Sequence, residues 1–167
     1  GGGTGNGFFR APAGIAVDHK EEFIYVADAK NHRIQKFQTN GTFETEWGSH
    51  GNGNGEFKFP AGIALDAEGY VYVSDLLNFR IQKFTSEGEF KESWNLGGLS
   101  VVLSIAVRDG YIYAADVFGN RIMKFSSDGE VAAMKLCDAD TPVAVTVDQE
   151  GRVYWSDQKN NCVYKLN

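Results

Sequence analysis

One fifteen-residue string is written four times along this chain. Residues 23–37 read FIYVADAKNHRIQKF, and residues 70–84 read YVYVSDLLNFRIQKF. Looser copies follow at 111–125 (YIYAADVFGNRIMKF) and 152–166 (RVYWSDQKNNCVYKL). Asp28, Asp75, Asp116 and Asp157 anchor the copies, with steps of 47, 41 and 41 residues. A period near forty residues that holds several short strands specifies a radial or stacked array, not one irregular globule. The repeat fixes shape. Function must come from the loops in which the copies differ.

Each copy reads as a four-stranded antiparallel meander, a to d in chain order, giving blades near 8–47, 57–94, 100–136 and 142–166, the last without its d strand. The a–b turns carry Glu68-Gly69, Asp109-Gly110 and Glu150-Gly151, and the c–d turns carry Asn40-Gly41, Glu87-Gly88 and Asp128-Gly129. These pairs supply the positive φ that two-residue hairpin turns need. Strands a and b are apolar on both faces, as in Ile15-Ala16-Val17 and Phe23-Ile24-Tyr25-Val26, so they are expected to lie between neighbouring sheets. Strand d alternates: Phe43, Thr45 and Trp47 against Thr42, Glu44 and Glu46. That pattern marks an outer edge, where charge discourages edge-to-edge pairing. Blades packed face to face around an axis satisfy all of this, so the expected fold is an all-β propeller of four four-stranded blades. A parallel β-helix is the alternative, but its shorter rungs have no need of paired hairpin turns. Gly-rich residues 1–9 and 48–59 read as crossovers from an outer strand back to the axis.

Composition narrows the classes of partner. A net charge of −6 without any basic run disfavours phosphate backbones, so no nucleic-acid partner is expected. The longest charged cluster, His19-Lys20-Glu21-Glu22, reads as a solvated turn. No stretch approaches the roughly 18 apolar residues that span a bilayer. No signal peptide is visible, and any targeting segment would lie upstream of Gly1. Cys137 and Cys162 read as buried free thiols in strand-like segments, with a single disulfide between blades as the alternative.

The strings Pro12 to Asp18 with Ile24 to Phe37, and Pro60 to Asp66 with Val71 to Phe84, resemble the NHL repeat, and so does the linker GNGNGEFKFP. The likeness runs over about residues 4–166 and weakens in copies three and four. Arg108 stands where the strand-a Asp would fall, and Cys162 stands in place of the Arg. Tyr154-Trp155-Ser156-Asp157 is also similar to the YWTD propeller repeat. The resemblance implies a ring of about six blades whose loops bind proteins, RNA or small ligands. Three readings of a four-blade chain stay open: part of a larger propeller, a ring shared between chains through incomplete blade edges, or a small ring closed alone. Export from the cytoplasm is the expectation the resemblance carries for localisation.

The repeated pairs Asp28/Arg33, Asp75/Arg80 and Asp116/Arg121, with Asp157, read as structural. An Asp at a strand end accepts turn N–H groups, and an Arg five residues on pairs with it. His19, His32 and His50 sit in turns and linkers at spacings that fit no local metal motif, so no metal and no cofactor are expected. The b–c loops differ in kind: Lys30 and His32 make the first polar, whereas Leu76, Leu77 and Phe79 in the second and Val117 and Phe118 in the third are apolar. In an up-and-down blade these loops share one end of the ring with the d–a linkers, where an apolar patch marks a contact surface. The expected function is a non-enzymatic scaffold that binds a protein or carbohydrate partner through that face. The alternatives are an enzyme like the six-bladed lyases and lactonases, or a self-assembling module. The strand-a starts, taken as Ala13, Ala61, Ser104 and Val143, offer the enzyme reading no ligand set.

Overall fold

The computed structural model describes residues 3–20, 22–98, 100–127 and 134–166, the last range without the side chains of 134–138. Among these residues the chain forms four antiparallel sheets in sequence order. The first holds β1 (Pro12–Val17), β2 (Phe23–Asp28), β3 (Arg33–Gln38) and β4 (Phe43–Trp47). The second holds β5 (Pro60–Leu65), β6 (Val71–Asp75), β7 (Arg80–Phe84) and β8 (Phe90–Asn95). The third holds β9 (Val102–Arg108), β10 (Tyr111–Asp116), β11 (Arg121–Ser126) and β12 (Met134–Asp138). The fourth holds β13 (Pro142–Val147), β14 (Val153–Asp157) and β15 (Cys162–Leu166), with no fourth strand among the described residues. Strands follow one another across each sheet without crossovers, and β1, β5, β9 and β13 stand side by side along the axis. This is an arc of propeller blades.

Close approach at the axis dictates small residues. A Cβ on Gly14 would lie 2.2 Å from the Ala61 carbonyl oxygen, and one on Gly62 would lie 3.0 Å from Leu103 O and Ile105 N. Ser104 occupies the same place in β9, and its hydroxyl accepts Val145 N–H at 3.1 Å. Pairing of Val102 with Asp116, as Pro60 pairs with Asp75, sets the register. The third strand-a start is therefore Leu103, not Ser104 as the sequence reading had it.

A separate apolar layer fills each junction between blades. Tyr25, Ala27 and Ile34 of blade one meet Ile63, Leu65 and Val73 of blade two. Tyr72, Ile81 and Trp94 meet Ile105, Ile112 and Phe125, and then Tyr113, Ala115 and Ile122 meet Val145, Val153 and Trp155. Ile34, Ile81 and Ile122 are completely buried, each contributing about 1.5–3 kcal/mol by removal from water.

Burial departs from the sequence expectation at β1. β1 is largely exposed, with no blade on its outer face among the described residues. β3 and β7 are buried despite Arg33, Gln35, Arg80 and Gln82, because those side chains are fully engaged by polar partners. The turns also differ. Gly41, Gly69, Gly88 and Gly151 have positive φ, but each closes a three-residue loop, as where Gln38 N–H reaches Thr42 O and Gly41 N–H reaches Gln38 O. Only Asp109-Gly110 forms the two-residue turn with both φ positive, while Asp128-Gly129 and Glu21 lie outside the described residues.

Cys162 is exposed, not buried, and its thiol donates to Asn160 O at 3.1 Å. The Cys137 side chain lies outside the described residues.

Candidate functional site

Each b strand ends on an aspartate with almost no solvent exposure. A tight turn follows, written as one 3-10 turn at Ala29–Asn31 and another at Leu76–Asn78. A left-handed residue then aims strand c back: His32 at φ 56°, Phe79 at 54°, Asn120 at 49° and Asn161 at 52°. Asparagine tolerates this region, but a phenylalanine there holds local strain.

The aspartate is the centre of a latch. Asp75 Oδ2 accepts Asn78 Nδ2 at 2.7 Å, Arg80 Nε at 2.9 Å and Gln82 Nε2 at 3.4 Å, while its Oδ1 accepts Lys58 N–H at 2.7 Å. Arg80 spends its remaining donors on the carbonyls of Asn52, Gly53 and Glu56. Blade one repeats the arrangement: Asp28 accepts from Arg10 N–H, Asn31, Arg33 and Gln35, and Arg33 donates to the carbonyls of Thr4, Gly5 and Phe8. The Gly-rich crossovers are thus bound down by backbone carbonyls around a buried guanidinium, which needs chain without side chains in the way.

The latch thins along the chain. Asp116 accepts Val101 and Gly119 N–H groups and Arg121 Nε. The crossover before β9 is short, and among the described residues Arg121 otherwise meets only Ser100 Oγ, at 3.2 Å. A third of the Arg121 side chain is exposed, against 8% for Arg80. Beside it lies a cavity of about 330 Å³ lined by Gly97, Gly98, Ser100, Asp116, Phe118, Gly119 and Arg121. In blade four Asp157 accepts Asp140 and Asn160 N–H groups, and Cys162 faces it where the arginine stood.

The apolar set singled out from the sequence sits on these same loops. Leu77 and Phe118 are exposed, while Leu76, Phe79 and Val117 are half-buried. Lys30 is exposed and its N–H donates to Arg10 O. His32 is half-buried: its Nδ1 accepts Phe59 N–H at 3.2 Å, and its ring stands 4.6 Å from that of His50. Two of three histidines read as scattered are therefore neighbours, joined across a blade junction. Burial, and then the neighbouring His50, hold His32 below the usual histidine range, while Asp75 pulls the other way. Among the described residues, no three His, Cys, Asp or Glu side chains group as a metal site.

A second recurring device went unread. Lys36 lies 4.1 Å above the Phe23 ring and 5.7 Å from that of Tyr25, Lys83 lies over Tyr70 and Tyr72, and Lys124 over Tyr111 and Tyr113. The signal was present: paired aromatics two apart on strand b, with a lysine opposite on strand c. Lys36 also reaches Glu87 at 2.7 Å, which holds that carboxyl below its usual range. Burial, with Asp18 and Glu87 nearby, pushes Tyr25 up to about 12.

Residues 9–37 match the family model of the NHL repeat. A solved nidogen/laminin complex contains a chain that superposes with a TM-score of 0.80 at 20% identity, over 95% of this chain and 61% of that one. A catalytically inactive virginiamycin B lyase from Staphylococcus aureus, solved with quinupristin, gives 0.78 at 20% identity, over 94% and 52%. A streptogramin B lyase gives 0.75 at 19% identity, over 93% and 50%. Likeness at this identity shows a shared propeller fold, and the chain spans 50–61% of the length of these structures. A comparison with curated proteins finds no match.

Proposed function

We propose that this NHL-repeat propeller arc is a binding module that takes a protein partner on its b–c loop face, centred on the third blade. One observation carries the reading: among the described residues the latch arginines Arg33 and Arg80 are buried, whereas the short third crossover leaves Arg121 partly exposed beside a cavity and the exposed Phe118. A guanidinium next to an aromatic suits an acidic or carboxyl-bearing side chain set among apolar ones, a combination common at the centres of protein interfaces. Leu77 on the adjacent blade extends the apolar surface. The nidogen/laminin likeness supports a protein-binding use of the fold, and the two lyases show that the same fold also hosts enzymes.

The test compares partner capture by the wild-type chain, by a Leu77→Ser/Phe118→Ser variant and by Phe79→Asn. The last substitution removes a half-buried apolar side chain of the same face while asparagine tolerates the left-handed backbone there. A partner whose affinity falls at least tenfold with the double substitution, measured by calorimetry on the purified pair, supports the reading. Partners bound equally by all three proteins would remove this face from consideration.

A further inference from the structure

Tyr25 carries a hydroxyl that its counterparts in other blades do not leave free. Register makes Tyr25, Tyr72 and Tyr154 equivalent, paired across to Ala16, Ala64 and Thr146. Tyr72 and Tyr154 donate their hydroxyls to Oδ2 of the aspartate that follows strand a, Asp66 and Asp148, each at 2.9 Å. Blade one departs from this pattern. Residues 18–23 join Val17 to Ile24, one residue more than 66–70 in blade two or 148–152 in blade four. In the longer turn Asp18 Oδ1 accepts the N–H groups of Glu22 and Phe23. Among the described residues neither Asp18 Oδ2 nor the Tyr25 hydroxyl has a hydrogen-bond partner, although Tyr25 is only 1% exposed.

Both residues border a cavity of about 260 Å³ between blades one and two, at the a–b turn end of the arc. Charge from Asp18 and Glu87, which also line it, reaches the Tyr25 hydroxyl, so that hydroxyl stands at the cavity end of its ring. The Lys36 ammonium shares the wall, 3% exposed and held by Glu87 at 2.7 Å and the Phe23 ring at 4.1 Å. We propose that this cavity binds a monosaccharide. Its lining sets donors, Tyr25 and Lys36, against acceptors, Asp18, Glu22 and Glu68, with Leu65 as an apolar side. A hydroxyl both donates and accepts, so a polyol satisfies the two sets together, whereas a simple ion meets one and is repelled by the other. The volume falls short of the roughly 300–1,000 Å³ that hold drug-sized ligands, which suits a single sugar ring. Charge sets the order of preference. The wall carries six carboxylates and two lysines, so a cationic amino sugar binds more tightly than a neutral sugar, and a uronic acid more weakly than either. Both blades that form the cavity are present, and it shares no residue with the b–c loop face, so either reading can fail alone.

The experiment is an NMR titration of the purified chain with glucosamine, glucose and glucuronate, from micromolar to tens of millimolar, beside Tyr25→Phe and Tyr154→Phe. Saturable shifts are expected around Tyr25, Lys36 and Gly69, tightest for glucosamine and weakest for glucuronate. Tyr25→Phe removes a hydroxyl that no described residue binds, so the thermal midpoint should hold while glucosamine affinity falls about fivefold. Tyr154→Phe breaks the bond to Asp148, away from the cavity, so it should lower the midpoint and leave the affinity as it was. No saturable shift with any of the three sugars overturns the proposal. Glucuronate binding as tightly as glucosamine, or Tyr25→Phe binding as tightly as the wild type, overturns it equally.

Discussion

Asp75 Oδ2 and Arg80 Nε lie 2.9 Å apart, with the carboxylate wholly out of solvent, and the four residues between them turn one strand into the next. The pair closes the b–c turn and, through the other arms of Arg80, fastens the crossover. Removing one partner of a buried, multiply bonded charge pair costs about 3–5 kcal/mol, because the other charge stays behind unpaired. Asp75→Ala is therefore expected to cost in that range by urea titration. Asp116→Ala should cost less, because water reaches Arg121. Equal losses at the two sites would show that the crossover contacts add nothing.

The axis gives a steric prediction. Gly14→Ala places a methyl 2.2 Å from a backbone oxygen, whereas Gly62→Ala places one at 3.0 Å. Overpacking against backbone that cannot retreat costs about 1–3 kcal/mol. The first substitution should fall at or above the top of that range and the second near its foot, as read from denaturation midpoints.

Trp94 gives a less obvious one. Its indole stacks on Tyr72 at 6.0 Å, yet its buried Nε1 has no hydrogen-bond partner among the described residues. Trp94→Phe loses packing area but also removes an unsatisfied donor, a defect worth about 1–3 kcal/mol. The net change should stay within about 1 kcal/mol, unlike the 3–5 kcal/mol usual for truncating a core aromatic to alanine. Thermal unfolding of W94F beside W94A checks the contrast.

Acid should loosen the junction between blades one and two. His32 is held below the ordinary histidine value of 6.5, chiefly by burial, so the unfolded chain binds its proton more readily. The stability due to the neutral ring is complete above that value and drains away as pH falls below it, down through the lowered one. His32→Asn, whose side chain accepts the left-handed backbone, should flatten this dependence. Urea midpoints from pH 7.5 to 5 in both proteins measure it, and parallel slopes would remove His32 as the cause.

The blades were legible because turns and strand apolarity are local signals: Gly41, Gly69, Gly88 and Gly151 mark loops wherever they stand. The loop lengths were less so, since a Gly in a three-residue loop and one in a two-residue turn look alike in sequence. Burial of Arg33 and Gln35 could not be read, because their partners are backbone carbonyls some 25–29 residues away, which leave no side-chain signature. The His32–His50 contact was hidden for a related reason: it joins a loop of one blade to the crossover into the next. At the b–c face the sequence picked out the apolar loops, but Arg121 was counted only as a frame residue. Its partial exposure follows from the brevity of residues 96–101, a matter of length and not of residue type.

The fading of the Asp–Arg clasp from blade one to blade four has a kinetic corollary. Where each unit leans only on its neighbours, the blade with the weakest clasp opens first. Amide hydrogens should therefore exchange soonest in β13–β15 and latest at the first junction.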